Sequence, residues 1–307
     1  MSNKNFLSIN DVTKDELLHL LDLSAQLKSE LYSGVDHSDL LKNKCLGMVF
    51  EKPSLRTRIS FEVGINQLGG KALVLNSSEI QMGHRESRMD IARVMSRYLS
   101  AIMIRTFGHE LLEETARYAT IPVINGLSDL EHPCQTLADL LTIKEHYGSF
   151  EGLKLAYIGD GNNTVRSLML ACAKLGINIH LACPLGYEPG KNFESEFSTV
   201  SHGIGEAAKD ADVIYTDVWS SMGQEKEALK RKKDFAGYQV NKSLMDEFAK
   251  KSAIVLHCLP AHRGEEITAE ALEKHENTIL NQAENRLHTQ KAILMFLLSN
   301  SKSNSCY

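Results

Sequence analysis

Ser54, Arg56 and Thr57 stand together just after Pro53, which ends a short apolar run. Hydroxyls three positions apart can share one face of a helix. A guanidinium adds a planar, permanently charged fork for phosphate oxygens. The run Cys45–Phe50 reads as a buried strand, and a helical pattern extends from Leu55 to Gly69. Ser54 then falls at the N-cap and Gly69 at the stop. A helix N-terminus offers unpaired N–H groups and the positive end of the dipole, which suit an anion. The chemistry expected is phosphate binding without a Walker-type glycine loop. Arg58 is expected to point elsewhere, into an ion pair. Taken alone, the segment is equally well a capped helix with surface arginines, so its companions must decide.

Those companions follow at intervals. Arg105 closes the apolar run Ala101–Arg105, at the strand end where a parallel α/β sheet places ligand-facing residues. His132 precedes Pro133, a residue suited to a first helical turn. At the positive end of that helix an imidazole is favoured neutral, able to donate a hydrogen bond without carrying charge. Most lone histidines at helix starts are caps, so this position also needs company. Asp217 ends a strand and could meet a cation, with an N-cap or an ion pair as the plainer role, and Ser221-Met222-Gly223 reads as a loop able to fold over a ligand. His257-Cys258-Leu259-Pro260 follows another strand. A thiol there is more often packed than nucleophilic, and His257 with His262 lacks the further ligands a metal site needs. Gly159-Asp160-Gly161 superficially resembles a dinucleotide fingerprint, but Thr164 stands at the third glycine and no acidic residue ends the next strand. NAD binding is not expected.

The elements that must position these residues alternate. Thr13 and Glu16 form a capping box for a helix whose leucines run from Leu17 to Leu31. Strands are expected at 45–50, 71–76, 101–105 and 122–125, with helices from 55, from about 88 to 98 and from about 110 to 119. The segment 77–87 is polar, longer than a tight turn needs, and reads as a loop. A helix from about 133 to 147 leads to a boundary at 148–152. A second series follows: strand 154–159, a helix to 175, strands 178–184, 212–216 and 253–256, and a final helix over 281–298. Residues 186–205 show no clear periodicity, and 226–233 reads as a solvated, charge-rich helix. The tail from Ser299 is expected to fray. Such alternation predicts an α/β fold of two domains, each a parallel sheet flanked by helices.

Composition sets outer bounds. The chain has 307 residues, 43% hydrophobic and 24% charged, enough for two cores. A net charge of −5 gives no reason to expect nucleic acid or an anionic membrane as a partner. Six cysteines, none in a C-x-x-C pair, fit a reduced protein with buried thiols. The first residues lack an apolar signal core and no run reaches membrane-spanning length, so a cytoplasmic protein is expected.

Ser54-Leu55-Arg56-Thr57-Arg58, His132-Pro133-Cys134-Gln135, Asp217 with Ser221-Met222-Gly223, and His257-Cys258-Leu259-Pro260 occur in an order that resembles the transcarbamoylases. The first two motifs resemble those shared by aspartate and ornithine carbamoyltransferases, the last two those of the ornithine branch. The likeness spans nearly the whole chain. It implies transfer of the carbamoyl group of carbamoyl phosphate to L-ornithine, without cofactor or metal. It implies a carbamoyl-phosphate domain, 1–131 with 286–307, and an ornithine domain, 149–285. The helix over 132–148 and the final helix are expected to join them. By motif, Ser54, Leu55, Arg56 and Thr57 should hold the phosphate, and Arg105 should bridge phosphate and carbonyl oxygens. His132 and Gln135 should bind the carbamoyl group, and Arg286 should complete that pocket. Gln81 resembles a residue lent to a neighbouring subunit, which implies a homotrimer or a multiple of trimers. Asn163, Asp217, Ser221 and Met222 should grip ornithine. Cys258 and Leu259 should orient the amine and the carbamoyl group, Cys258 without forming a covalent intermediate.

The segment 187–206 is shorter than the resemblance leads one to expect, so an outer helix of the second domain should be reduced. Putrescine or aspartate as acceptor is the nearest rival. Ser221-Met222-Gly223 argues against both, and the polar loop lacks the lysine expected of an aspartate enzyme. A non-catalytic anion-binding protein would need no amine site, and a nucleotide-binding oxidoreductase lacks its fingerprint.

Overall fold

The computed structural model describes residues 4–76, 80 and 86–299. The first stretch of the chain carries α1 (Lys14–Tyr32), β1 (Cys45–Phe50), α2 (Leu55–Gln67), β2 (Lys71–Asn76), α3 (Arg88–Tyr98), β3 (Ala101–Arg105), α4 (His109–Tyr118), β4 (Val123–Leu127) and α5 (Pro133–Tyr147). The second carries β5 (Lys154–Ile158), α6 (Asn163–Leu175), β6 (Asn178–Ala182), β7 (Ser198–Ser201), α7 (Ile204–Ala208), β8 (Val213–Thr216), α8 (Ala228–Asp234), α9 (Lys242–Glu247), β9 (Ile254–His257), α10 (Ala269–Lys274) and α11 (Glu276–Leu298). The described residues up to Ala138 and from Glu284 onward form one compact unit, and Asp139–Ala283 form another. The chain passes between them within α5 and within α11.

The first unit holds a parallel sheet in the order β2-β1-β3-β4. β3 is buried throughout and β1 in its middle, as their unbroken apolar sequences require. Ile102, Ile104 and Val49 pack against Ile91 and Met95 of α3 and Leu111 and Leu112 of α4. β2 is an edge strand with no fully buried residue. α2 stops where the sequence predicts. Gly69 has φ +84°, and a Cβ there would lie 1.7 Å from the Ser38 carbonyl oxygen.

The second unit holds a parallel sheet in the order β7-β6-β5-β8-β9. Its core joins Ala156 and Ile158 of β5 to Ile214, Val255, Val240 and Ile267. The link from β6 to β7 contains a single 3-10 turn, Lys191–Phe193, in the segment expected to be reduced. Three differences from the sequence reading concern this unit. β7 forms within the stretch that showed no periodicity. The short helices α7, α9 and α10 were not anticipated. The charge-rich segment 226–233 is not a purely solvated surface, because Arg231 within it is 4% exposed.

In both sheets strand order reverses once, between β1 and β3 and between β5 and β8. The segments leaving the carboxyl ends of such neighbours diverge to opposite sides and open a crevice for ligands. Among the described residues, no helix is long and apolar enough to cross a membrane.

Candidate active site

In the first unit, Phe50 and Arg105 stand opposite each other at the carboxyl ends of β1 and β3. A register shift at Ile104/Arg105 marks the point where β3 leaves regular pairing with β4, a common device beside active sites. The Glu51 amide donates to the Arg105 carbonyl at 2.9 Å. The Thr106 hydroxyl donates to the Glu51 carboxylate. Lys52 is buried, pairs with Asp129 and lies 4.1 Å from the centroid of the Phe107 ring. These contacts fix the approach to α2. None of them is predicted from the sequence, although Lys52 stands only two residues before the Ser54–Arg58 motif.

Ser54 caps α2 as predicted, its hydroxyl accepting from the Thr57 amide at 3.2 Å. Leu55 is 70% exposed, so what it can offer an anion is its backbone N–H. Arg58 points away and pairs with Glu62 at 3.5 Å. Thr57, Gln135 and Arg286 are drawn together by one guanidinium. Nη1 of Arg286 donates to Oε1 of Gln135 at 2.7 Å, and Nη2 donates to the Thr57 hydroxyl at 3.1 Å. His132, immediately before α5, is 5% exposed. Burial holds its imidazole well below the usual 6.5, and the positive charges of Arg286, Arg105 and Arg56 push it further down. The neutral ring expected at this helix start is therefore enforced more by its surroundings than by the dipole alone. Cys134 is no nucleophile, because burial raises its thiol to about 12 and the thiol donates to the Asn125 carbonyl at 3.2 Å. Gln81 lies outside the described residues.

In the second unit, Ile158, Thr216 and His257 are register neighbours across β5, β8 and β9. The residues just beyond these strands therefore meet. Asp217 is their hub. One carboxylate oxygen accepts from the Val218 amide at 2.8 Å and the Cys258 thiol at 3.0 Å. The other accepts from Nδ2 of Asn162 at 2.9 Å and from the Thr164 hydroxyl at 3.4 Å. Asn162 is the N-cap of α6, its Oδ1 accepting from the amides of Thr164 and Val165. The predicted Asn163 is half-buried in the first turn. Asn162 and Thr164 were missed, though both flank it in the same turn. Gly161 is required there, since a Cβ would lie 2.4 Å from the Tyr187 carbonyl oxygen and the Pro189 nitrogen.

His257 is buried, and its Nδ1 accepts from the Leu259 amide at 2.9 Å. Nε2 must then carry the proton, which it donates to Glu266 at 3.0 Å. The bond to Nδ1 holds Leu259 at φ +57°, an unusual conformation for a bulky residue. Ligand atoms of Asp217, His257 and Cys258 lie within 4.8 Å of one another. Both His257 nitrogens are committed within the protein, so the group is poorly suited to a metal. Ser221 is half-buried and its amide donates to Oε1 of Gln224 at 2.9 Å, while Met222 is 44% exposed. The second unit thus offers a buried carboxylate whose acceptor sites are taken by amide, hydroxyl and thiol donors, so an ammonium group would bind it by displacing one of these donors.

Comparison with known proteins supplies the context. The family description "Aspartate/ornithine carbamoyltransferase, carbamoyl-P binding domain" matches residues 4–145, and "Asp/Orn binding domain" of the same family matches residues 151–297. An ornithine carbamoyltransferase of Anoxybacillus flavithermus is 52% identical over 308 residues, covering 97% of this chain and 98% of its own length. One from Oceanobacillus iheyensis is 51% identical over 309 residues, covering 97% and 95%. The solved structure of ornithine carbamoyltransferase from Pyrococcus furiosus superposes with a TM-score of 0.93 at 46% identity, covering 98% of this chain and 99% of that one. With both halves of the chain matched and half of its residues identical in full-length relatives, the chain belongs to the aspartate/ornithine carbamoyltransferase family.

Proposed function

We propose that the protein transfers the carbamoyl group of carbamoyl phosphate to the δ-amine of L-ornithine, giving L-citrulline and phosphate. The observation that carries this reading is the buried Arg286 guanidinium bonded to both Thr57 and Gln135, beside the Ser54-capped start of α2, with Arg286, Arg105 and Arg56 all lowering the pKa of buried His132. Three fixed cations suit a dianionic phosphate, and a neutral imidazole donor suits a carbonyl oxygen. The names of the full-length relatives agree with it.

In this reading Ser54, the Leu55 amide, Arg56 and Thr57 hold the phosphate, and Arg105 bridges phosphate and carbonyl oxygens. Gln135 and Arg286 close the carbamoyl pocket. Asp217 meets an ammonium of ornithine, with Asn163, Ser221 and Met222 around the rest of that substrate. Cys258 and Leu259 orient the reacting amine. The neutral δ-amine attacks the carbamoyl carbon, and the C–O bond to phosphate breaks. The amine proton passes to the leaving phosphate. Thr57, Arg105 and His132 donate to the developing oxyanion, each worth roughly 2.7–4 kcal/mol in such sites. Holding both substrates in place contributes much of the rest. No cofactor or metal has a part in the scheme.

The reading extends to a cytoplasmic homotrimer, or multiple of trimers, acting in arginine metabolism, with Gln81 serving a neighbouring subunit. Support for self-association comes from α2, where Leu55, Ile59 and Val63 are 70%, 51% and 37% exposed at helical spacing. The test is an assay of ureido product and phosphate from carbamoyl phosphate with L-ornithine, putrescine or L-aspartate. Product with ornithine alone is expected. Turnover mainly of putrescine or aspartate overturns the role given to the Ser221 loop.

A further inference from the structure

Arg231 is the only buried residue of α8, in a run otherwise made of exposed lysines and their neighbours. Its Nη2 donates to the Asp160 carboxylate, and its Nε donates to the Trp219 carbonyl at 2.5 Å. The guanidinium carbon lies 4.8 Å from the Tyr187 ring centroid and 5.3 Å from that of Phe235. Asp160 is itself 7% exposed. Enclosing a guanidinium and a carboxylate is unfavourable unless each is paired and satisfied, so this pair needs a purpose beyond stability.

Its placement supplies one. Asp160 belongs to the turn that presents Asn162 and Asn163, and Trp219 lies between Asp217 and Ser221. The Asn162–Asp217 bond joins the near sides of turn and loop. Arg231 joins their far sides, two residues beyond Asp217. Trp219 is otherwise held by its indole N–H, which donates to the Tyr238 carbonyl at 3.2 Å, and by stacking on Phe235 at 6.1 Å. We propose that Arg231 is a positioning residue for the amine substrate, holding the Asp160 turn and the Trp219–Met222 loop in register so that Asn163, Asp217 and Ser221 act on one ligand. It touches no substrate itself. Lysine cannot substitute, because the role needs two donors in divergent directions and a flat cation set against two rings that touch each other.

The proposal rests on the ornithine reading above, and its test separates the two. Trp219 is the only tryptophan of the chain, so intrinsic fluorescence reports on this loop alone. In Arg231→Lys and in the nearly isosteric Asp160→Asn, KM for ornithine is expected to rise about 10- to 100-fold, as for a misplacement near 1 Å. KM for carbamoyl phosphate should stay within about twofold, because uniform binding in the other unit is untouched. Trp219 emission should shift to the red and become more open to acrylamide, with far-UV circular dichroism unchanged. The double variant should be no worse than the poorer single one, as for two residues acting through one contact. An unchanged ornithine KM in either folded variant overturns the proposal. So do equal rises in both KM values accompanied by a lower Tm, the pattern of a merely structural pair. If the wild type transfers to no ornithine at all, the functional reading falls, and the fluorescence of the variants still decides the clamp.

Discussion

A buried histidine within the field of three guanidinium groups is favoured in its neutral form. Burial is the larger cause of its lowered pKa, and Arg286, Arg105 and Arg56 add to it in that order. Because the folded value lies below the ordinary one, His132 contributes stability that is present above pH 6.5 and is lost as pH falls toward its folded pKa. The expected outcome is that the His132 ring stays neutral in the folded protein well below pH 6.5, followed by NMR titration of the imidazole nitrogens. Arg56→Ala should move that titration upward while leaving it below 6.5, since burial remains. His132→Gln should lower kcat by about 10²- to 10³-fold, the range for loss of one oxyanion donor. An equal loss expressed only in KM would instead make His132 a binding group.

At the scale of elements, both candidate half-sites form where strand order reverses, and this follows from topology more than from any one residue. β1 and β3 bring Ser54 and Arg105 to one sheet end, and β5, β8 and β9 bring Asn162, Asp217 and Cys258 to another. The loop that carries Trp219 should respond to pH through Asp160. Burial raises that carboxyl to about 6, with Arg231 and Arg166 opposing the rise and Asp217 adding to it. As pH falls through about 6, Asp160 gains a proton and its bond to Arg231 loses its ionic character. KM for ornithine should therefore rise below that pH more steeply than the roughly tenfold fall per pH unit in neutral δ-amine that applies throughout this range. Stability should follow the opposite sign for this group. Its folded value is raised, so its contribution is present below the ordinary 3.8 and lost as pH rises through about 6. Kinetics of Asp160→Asn between pH 5 and 8 check this assignment, because the extra rise near pH 6 should vanish in the variant, and its persistence would place the titration elsewhere. The limits of legibility are also set here. Lys71–Asn76 and Ala101–Arg105 were readable to the residue and Arg88–Tyr98 approximately, because the apolar patterning of the two strands ends sharply. β7 was not, since Ser198-Thr199-Val200-Ser201 sits half-buried or exposed at a sheet edge and carries no apolar signal. α7, α9 and α10 are five or six residues long, too short for a helical period to register. Arg231 was misread because charge in a lysine-rich run signals solvent, and its partner lies 71 positions away. Asn162 was passed over for its neighbour because only the turn decides which of two adjacent asparagines caps the helix.

At the scale of the whole molecule, the remaining question is whether a single chain holds everything the reaction needs. The resemblance to the transcarbamoylases assigns Gln81 to a neighbour's site, and α2 carries a row of exposed apolar side chains in Leu55, Ile59 and Val63. Such a row suits contact with a second copy of the chain, and closed cyclic symmetry is the usual arrangement of identical chains, which is the assembly proposed above. Ile59→Glu should therefore dissociate the assembly, read by sedimentation, and remove activity without unfolding the subunit. Subunit mixing gives the sharper result. Chains with Gln81→Ala and chains with Asp217→Ala should each be inactive alone. If Gln81 serves a neighbour, mixed rings contain sites in which an intact Asp217 of one chain meets an intact Gln81 of the next. Random assembly of equal amounts makes about one quarter of all sites complete, because each site needs one chain of each kind in a fixed order around the ring. Recovery near that fraction after unfolding and refolding the two together is the expected outcome. A mixture as inactive as its parents would assign Gln81 to its own subunit's site and leave the apolar row of α2 as an interface without catalytic consequence.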